Sequence, residues 1–200
     1  MRLYCFPRSG NSREVKLALA EKGIAYESVN IHAETFDRED QEFRKASPKG
    51  RVPALIDQGH YLSEALDINV YLEDHYPEKA LLPGDATRRT EILQWIREYD
   101  KRLTVKIGLY IVECLLKPQE KQNEQVKRTF KEQIVRGLGG LNEFHKGKDY
   151  LFGQYSLADI ALTPHIAALG RVGIDISGYP HIAQWLERIK ARPSFQASAG

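Results

Sequence analysis

The sequence predicts two unlike domains: an α/β domain with the element order β-α-β-α-β-β-α, followed by an all-α domain. Short apolar runs that alternate with amphipathic helical patterns fill the first part of the chain, as in a compact mixed sheet. From Asp85 onward the apolar residues recur at helical spacing, and no convincing strand is found. The pattern changes between Pro77 and Gly84, so we place the domains at residues 1–77 and 85–200, with a linker at 78–84.

The composition is that of an ordinary globular protein and disfavours several classes of partner. Of 200 residues, 42% are hydrophobic, which is enough for a sizeable core. The net charge of +2 supplies no field that would attract nucleic acid or an anionic membrane. The apolar run at the N-terminus is too short for a signal peptide, and no apolar stretch approaches the ~20 residues of a membrane span. We therefore expect a cytoplasmic protein.

The cysteines and histidines give no sign of a metal site. Cys5 and Cys114 are far apart, without the spacing of metal ligands, and we expect both as buried apolar side chains. His145, His165 and His181 have no partner spacing that suggests a metal or a general base. We therefore expect that no metal is bound.

The first strand and helix follow from local signals. Residues 2–6 form a short apolar strand that Pro7 ends. A helix follows, because Asn11 or Ser12 can cap its free N–H groups, and it ends at Gly23. Its helical spacing is carried by Val15, Ala18, Leu19 and Lys22.

A proline opens the third strand of the predicted sheet. The run at 51–56 is apolar, and because proline has no N–H for a sheet ladder, Pro53 is expected at the start of the strand. A bare X-Pro bond has about a 5–6% chance of being cis, so the residues alone favour a trans Val52–Pro53 bond. The other elements of this domain are a strand at 26–31, a charged helix at 36–45, a strand at 61–63 and a helix with Ala65, Ile68 and Leu72 on one face.

Four helical patterns make up the second domain. The first covers residues 91–116, and the second covers 119–146. Three glycines, Gly137, Gly139 and Gly140, are unfavourable in the second half of that helix. Ser156 and Asp159 form a capping-box pattern at the start of the third helix, and the fourth covers about 179–193.

Three motifs, taken together, point to one family. They are S-x-N-S-R-x-V-K-L-A-L at 9–19, S-P-x-G-x-V-P-A-L at 47–55 and F-G-x-x-S-L-A-D-I-A-L at 152–162. In this order and at these separations they resemble the cytosolic glutathione transferases over nearly the whole chain, in a serine-type class that is bacterial-like or similar to theta and phi. The resemblance implies the glutathione S-transferase (GST) fold, with a thioredoxin-like domain followed by a helical domain. It also implies a homodimer and glutathione as co-substrate.

The resemblance assigns most of a glutathione site to the segment around the third strand. It implies a cis Val52–Pro53 bond, and it implies that the backbone of Val52 pairs with the cysteinyl part of glutathione as an added strand would. It places Arg51, with Lys49 as a second candidate, at the glycine carboxylate. The alternative for both residues is an ordinary solvated surface charge.

One position departs from the family pattern. The acidic residue and serine that bind the γ-glutamyl group fall on Glu64 and Ala65. Glu64 can meet the glutamyl ammonium, but Ala65 lacks the serine hydroxyl and offers the glutamyl carboxylate only a backbone N–H at a helix N-terminus. The lost hydrogen bond is worth about 1.5–3 kcal/mol at most, so binding is weakened and not abolished. Ser63 replaces that serine only if the register shifts by one or two residues.

The residues expected to lower the pKa of the glutathione thiol lie at the start of the first helix. Glutathione attacks only as the thiolate, and lowering the thiol pKa from ~8.5 by roughly two units corresponds to about 3 kcal/mol. A hydroxyl donor above a helix N-terminus can supply this stabilisation. Ser9 occupies the position where the serine classes of the family keep the activating hydroxyl.

Three other residues remain candidates for the thiol partner. Ser12 is a second hydroxyl, although its place at the helix start suits an N-cap. Tyr4 matches the tyrosine classes, but we expect it in the core or the pocket wall. Asn11 matches a class associated with disulfide-bond reductase activity. The Ser-Ser-Cys run of the maleylacetoacetate isomerase class is absent, since the chain has Ser9-Gly10-Asn11.

The resemblance puts the second substrate against the first long helix of the second domain. There Tyr99, Arg102, Lys106 and Tyr110 share one face and suit a hydrophobic or aromatic electrophile, or an anionic one. The alternative for these residues is helix surface or dimer contact. The leading function is conjugation of glutathione to an electrophile. Glutathione-dependent reduction of disulfides or peroxides, prompted by Asn11, and a non-catalytic binding or regulatory role, prompted by the Ala65 departure, stay open.

Overall fold

The computed structural model describes residues 1–31 and 40–199 of the chain. These residues form two compact units. The first contains Met1–Leu81 together with the C-terminal segment that begins at Arg192, and the second is Leu82–Ala191.

The C-terminal segment corrects the predicted boundary, which put residues 85–200 in one domain. Arg192 forms an ion pair with Glu21 of the first unit, with 2.7 Å between Nε and Oε1. The Arg13 guanidinium lies 4.3 Å from the centre of the Phe195 ring and donates to the Phe195 carbonyl. Residues 192–199 therefore pack with the α/β unit because its first helix supplies their charge and ring partners.

A four-stranded sheet forms the centre of the described part of the first unit. The strands lie in the order β2-β1-β3-β4, with β1 parallel to β2, and with β3 antiparallel to both β1 and β4. The predicted order β-α-β-α-β-β-α is confirmed, although residues 36–39 of the helix predicted at 36–45 lie outside the described residues. The elements are β1 (Arg2–Cys5), α1 (Gly10–Lys22), β2 (Glu27–Asn30), α2 (Gln41–Ala46), β3 (Ala54–Asp57), β4 (His60–Ser63) and α3 (Ala65–His75).

A buried ion pair ties the C-terminal ends of α1 and α3 together. Lys22 and Glu73 are 2.7 Å apart and almost fully buried. The Lys22 ammonium also donates to the carbonyls of Tyr76 and Lys79, and the Glu73 carboxylate accepts the N–H of Leu81. Since every charge here has partners, the pair tolerates its burial and fixes the two helices whose N-termini border the candidate site.

The second unit is built from helices, as predicted. A continuous helical run at 86–116 includes two turns of π-helix, Asp100–Thr104 and Val112–Leu116. Among the described residues, no helix is long and apolar enough to cross a membrane. The helices are α4 (Ala86–Tyr99), α5 (Val105–Ile111), α6 (Glu124–His145), α7 (Leu157–Ala167) and α8 (Pro180–Lys190), with α9 (Pro193–Ala197) in the first unit.

Helix α6 continues through its three glycines. Gly137 has a packing reason, because a Cβ at this position would lie 2.8 Å from a methyl carbon of Leu103. A Cβ at Gly139 or Gly140 would meet nothing within 4 Å. The packing of α6 against Leu103 therefore explains Gly137. It does not explain Gly139 or Gly140.

The predicted capping box begins α7. Asp159 is fully buried, and its carboxylate accepts from the Ser156 N–H and hydroxyl, from the Leu151 N–H and from the Trp185 indole N–H. Burial raises the pKa of Asp159 to about 6. These contacts join the start of α7 to the preceding loop and to α8.

The buried His165 on α7 is expected to make the fold less stable in acid. Burial lowers its pKa to about 4, whereas an unfolded histidine titrates near 6.5. Below pH 6.5 the unfolded chain therefore binds a proton at this histidine that the folded chain does not bind. The folded state loses stability as the pH falls towards 4. Urea denaturation gives the unfolding free energy of the wild type minus that of His165→Gln. This difference should fall by about 3 kcal/mol between pH 7 and pH 4. A difference that does not change with pH would contradict this account.

Candidate functional site

Three segments of the first unit leave the sheet at the same edge. Tyr4 near the end of β1 is in register with Ala54 at the start of β3, and Ala54 is in register with Ser63 at the end of β4. Because β3 is antiparallel to both neighbours, the chain after β1, before β3 and after β4 lies at this edge. These segments carry Ser9, Val52 and Glu64.

Ser9 is the N-cap of α1. Its backbone is extended (φ −84°, ψ 119°), and its hydroxyl oxygen accepts the N–H of Ser12 at 3.1 Å. The side chain is half-buried, and no acceptor for its hydroxyl hydrogen is found in the part of the chain that the structure describes. Ser9 can therefore donate to an anion while its oxygen caps the helix, whose N-terminus also favours negative charge.

Ser12 and Asn11 occupy different positions from those that the sequence suggested. The cap was expected at one of them, but α1 already begins at Gly10 and both lie in its first turn. Ser12 is buried, and its hydroxyl oxygen accepts the N–H of Phe6 at 3.2 Å, which fixes the loop after β1. Asn11 is exposed. The prediction of an N-cap at either residue was wrong, because the N-cap is Ser9, two residues before Asn11.

Tyr4 lies in the core, which is one of the two positions expected from the sequence. The side chain is fully buried, its ring centre is 5.3 Å from that of Phe43, and its hydroxyl is 3.5 Å from an Asp40 oxygen. Burial raises its pKa. These contacts occupy the ring and the hydroxyl, which disfavours Tyr4 as the thiol partner.

Val52 precedes β3 and lies outside the ladder. The Val52–Pro53 bond is cis, as the family resemblance implied and against the expectation from the residues alone. The ladders of β3 begin at Ala54, and no described residue pairs with the backbone N–H or C=O of Val52. An extended ligand can therefore add to the sheet at this residue.

Two exposed cations flank Val52 on its N-terminal side. Lys49 and Arg51 are exposed, and the loop that carries them is held by Ser47, whose hydroxyl accepts the N–H of Arg51 at 2.8 Å. Neither side chain has an ion-pair partner within the described ranges. Both are free to meet a carboxylate at this edge.

Glu64 and Ala65 begin α3 in a strained backbone. Glu64 has φ +69° and ψ 125°, a region that costs a non-glycine residue about 1–3 kcal/mol and that is concentrated at ligand sites. Its side chain is exposed and makes no cap bond to the helix. The first N–H groups of α3, beginning with Ala65, therefore remain available to a carboxylate. Ser63 is the last residue of β4, paired with Ala54, so the register shift that would substitute it for Ala65 does not occur.

The edge has the width of an extended tripeptide. Neighbouring strands are spaced at about 4.8 Å, so β1 and β4 lie about 10 Å apart across β3. Three extended residues span about 10 Å as well. A donor to a thiolate, a free strand edge and an anion-binding helix N-terminus therefore lie within reach of one small peptide.

The second unit carries a groove of about 500 Å³ between α6 and the helical run at 86–116. The residues that line it include three cations and no acid. The run at 86–116 contributes Tyr99, Arg102, Leu103 and Lys106.

The α6 side of the groove was not predicted. It is lined by Gln133, Arg136, Gly137 and Gly140, which recur at helical spacing and so were visible as one face of α6. The predicted pocket rested on one helix, and only the packing of α6 against that helix creates a concave surface.

Tyr110 does not belong to this groove, which corrects the predicted pocket. It is buried, at 6% exposure, on the stripe that also carries the buried Leu103 and Ile107. Its spacing from these two residues is helical, so it faces the core of the unit. Of the four predicted pocket residues, Tyr99, Arg102 and Lys106 are brought together.

Neither unit offers an obvious metal site in its described part. No group of three or more His, Cys, Asp or Glu side chains with metal-binding geometry occurs in residues 1–31 and 40–199.

Comparison with known proteins identifies the family. The glutathione S-transferase N-terminal domain matches residues 3–80, and the glutathione S-transferase C-terminal domain matches residues 103–193. The chain is 30% identical to maleylacetoacetate isomerase of Pseudomonas aeruginosa, over 98% of this chain and 94% of that protein. It is also 30% identical to glutathione S-transferase Z1 of Arabidopsis thaliana, over 98% of this chain and 90% of that protein.

A solved structure agrees with these relatives. The glutathione transferase of Burkholderia graminis, with two glutathione molecules bound per subunit, superposes with a TM-score of 0.86 at 27% identity, over 99% of this chain and 86% of that one. The chain therefore belongs to the glutathione S-transferase family.

Proposed function

We propose that this protein adds the thiolate of glutathione to an electrophilic small molecule, with glutathione bound along the sheet edge. Family membership supports glutathione as co-substrate at a general level. The observation that carries the proposal is the convergence of Ser9, Val52 and the start of α3 on adjacent strand ends.

Each part of glutathione has a partner at this edge. The cysteinyl backbone pairs with Val52, and the glycyl carboxylate meets Arg51 or Lys49. The glutamyl ammonium meets Glu64, and the glutamyl carboxylate meets the first N–H groups of α3. This arrangement puts the sulfur beside the N-terminus of α1, where the Ser9 hydroxyl donates to it.

The reaction then needs no nucleophile from the protein. With its pKa lowered by Ser9 and by the helix N-terminus, glutathione loses its thiol proton to solvent. The sulfur forms a bond to the electrophilic carbon, and a leaving group departs with its electron pair. We retain Tyr99, Arg102 and Lys106 as residues that bind the electrophile, since they line one groove. The homodimer that the family resemblance implies stays a prediction, which light scattering in solution can check.

The named relatives favour a second candidate, isomerisation. One relative is a maleylacetoacetate isomerase. In such a reaction the thiolate adds to a double bond, the resulting single bond rotates, and the thiolate leaves, so glutathione is regenerated. The first step uses the same thiolate, and the two reactions differ in the fate of the new S–C bond. We place conjugation first because Gly10 and Asn11 replace two residues of the Ser-Ser-Cys run of the isomerase class.

Parallel assays separate the candidates. Conjugation predicts that glutathione is consumed with an aromatic chloride and that the product contains sulfur bonded to the ring. Isomerisation predicts conversion of maleylacetone to its trans isomer without consumption of glutathione. Reduction of a small model disulfide would favour the reductase alternative prompted by Asn11. Binding of glutathione with none of these activities would contradict the proposal and leave a binding protein.

Replacing Ala65 with serine is expected to strengthen glutathione binding. The new hydroxyl would donate to the glutamyl carboxylate, and such a bond contributes up to about 1.5–3 kcal/mol, or about 10- to 100-fold in Kd. Calorimetric titration with glutathione measures the change. The control is Ser63→Ala, which should leave Kd unchanged because Ser63 belongs to the β4 ladder. An unchanged Kd in Ala65→Ser would argue against this placement of the glutamyl group.

A further inference from the structure

Two exposed histidines of the first unit lie side by side, at the sheet edge opposite the candidate glutathione site. We infer that His60 and His75 bind a divalent transition-metal ion such as Zn²⁺ between the β3–β4 hairpin and the end of α3. The inference goes beyond the proposed function, because it needs neither glutathione nor the residues proposed to bind it.

The fold places both histidines away from the candidate site. His60 is the first residue of β4 and is in register with Asp57 at the end of β3, whereas the candidate site lies at the other end of these strands. His75 is the last residue of α3, about 15 Å along the helix axis from Ala65. The turn of the hairpin and the end of α3 therefore meet at one place on the surface.

The separation of the two imidazole rings suits a shared ion. Their centres are 5.6 Å apart, and their planes are inclined by 60°. Since a zinc ion lies about 2.0–2.1 Å from each ligand nitrogen, two imidazoles on one tetrahedral ion have ring centres about 5 Å apart. Both side chains are exposed, so small rotations of the rings can close the remaining difference.

His75 is held in the way that metal-binding histidines usually are. Its Nδ1 lies 3.1 Å from the backbone carbonyl oxygen of Tyr71, and only a protonated Nδ1 can donate to that oxygen. In the neutral ring this leaves Nε2 with a lone pair for a metal ion. The hydrogen bond to the second nitrogen also fixes the orientation of the ring.

The Tyr71 side chain forms an ordered wall behind both rings. Its ring stacks on His75, with centres 4.0 Å apart and planes inclined by 25°, and its centre lies 5.3 Å from that of His60. Tyr71 is buried, and its hydroxyl donates to the Asp57 carboxylate at 3.0 Å. The two imidazoles therefore contact a side chain that is already fixed, which lowers the entropy cost of binding an ion.

The remaining ring nitrogens are available to a ligand. No described residue forms a hydrogen bond or an ion pair with Nε2 of His75 or with either ring nitrogen of His60. Since residues 1–31 and 40–199 contain no group of three or more metal-binding side chains, the ion has two protein ligands, and water fills its other positions. Imidazole ligands favour Zn²⁺, Ni²⁺ and Cu²⁺ over Mg²⁺ and Ca²⁺, which prefer oxygen.

Calorimetric titration of Zn²⁺ into the reduced, chelator-treated protein tests the pair. Glutathione is left out because its thiolate binds zinc. The wild type should bind one Zn²⁺ per chain, and His60→Gln and His75→Gln should each weaken binding at least about tenfold, because a single imidazole remains. The matched control is His181→Gln, at a half-buried histidine of α8, which should bind as the wild type does.

Three results of this titration would overturn the inference. The first is the absence of Zn²⁺ binding in the wild type. The second is an unchanged Kd in His60→Gln or in His75→Gln, which would place the ion elsewhere. The third is an equal loss of binding in His181→Gln, since a general effect of removing any histidine would then explain the data.

A stability measurement shows whether the folded pair holds the ion. An ion that bridges β4 and α3 favours the folded chain, so Zn²⁺ should raise the urea concentration at the unfolding midpoint of the wild type. The rise should disappear in the double variant His60→Gln/His75→Gln and persist in His181→Gln. Both histidines of the pair are exposed, so the double variant is expected to fold. A rise of the same size in the double variant would overturn the inference.

Discussion

Replacing Ser9 with glycine is expected to lower the turnover of glutathione with an aromatic electrophile by about 100- to 1,000-fold. The substitution removes the hydroxyl that donates to the thiolate, so less of the bound glutathione is ionised at neutral pH. Glycine is a tolerable N-cap and costs only a few tenths of a kcal/mol, whereas alanine costs about 1 kcal/mol. Steady-state kinetics of Ser9→Gly therefore report on the chemistry with little contribution from unfolding.

Two controls limit the interpretation of the Ser9 result. Ser9→Thr keeps both the hydroxyl and the cap and should retain most of the activity. Ser12→Ala removes the acceptor of the Phe6 N–H and should lower stability, with a much smaller effect on the thiol pKa. Unchanged turnover in Ser9→Gly, or an equal loss in Asn11→Ala, would contradict the assignment of Ser9.

Replacing Asp159 with alanine is expected to lower the free energy of unfolding by about 4 kcal/mol or more. The carboxylate is the acceptor for the Leu151 N–H, the Ser156 N–H and the Trp185 indole at distances of 2.9–3.0 Å. All three donors would be left buried without a partner, and each such donor costs about 1–3 kcal/mol. Urea denaturation followed by circular dichroism measures the loss.

A graded series keeps the Asp159 prediction testable if the alanine variant does not fold. Trp185→Phe removes a single donor to the carboxylate and should cost about 1–3 kcal/mol. Asp159→Asn retains one acceptor oxygen and should lie between Trp185→Phe and Asp159→Ala. Asp175→Ala removes an exposed carboxylate that only supports the turn at Ser177, and it serves as the control. A loss below 1 kcal/mol in Asp159→Asn would contradict the network.

The elements of the first unit were predictable because their signals are local. Pro7, Gly23 and the alternating apolar runs mark where strands and helices end, and the structure follows them within a few residues. Local signals of this kind did not predict the cis geometry of the Val52–Pro53 bond. Cis and trans forms of an X-Pro bond differ by only about 0.5–1 kcal/mol, so surrounding structure decides between them.

The parts of the site that sequence reasoning missed depend on tertiary contacts. Whether Ser9 or Ser12 caps α1 is decided by the turn after β1, where Ser12 is buried against the Phe6 N–H. The packing of the C-terminal segment on the first unit rests on Arg13 and Glu21, far away in sequence. The positive φ of Glu64 has no signature in the sequence either.

The central claim is that the Ser9 hydroxyl and the N-terminus of α1 ionise the thiol of bound glutathione. Ultraviolet absorbance of the thiolate, followed against pH for glutathione bound to the wild-type protein and to Ser9→Gly, tests this claim directly. The account predicts a thiol pKa about two units below the free value of ~8.5 in the wild type, and a pKa close to the free value in Ser9→Gly. The same pKa in both proteins, or a wild-type value equal to that of free glutathione, would contradict it.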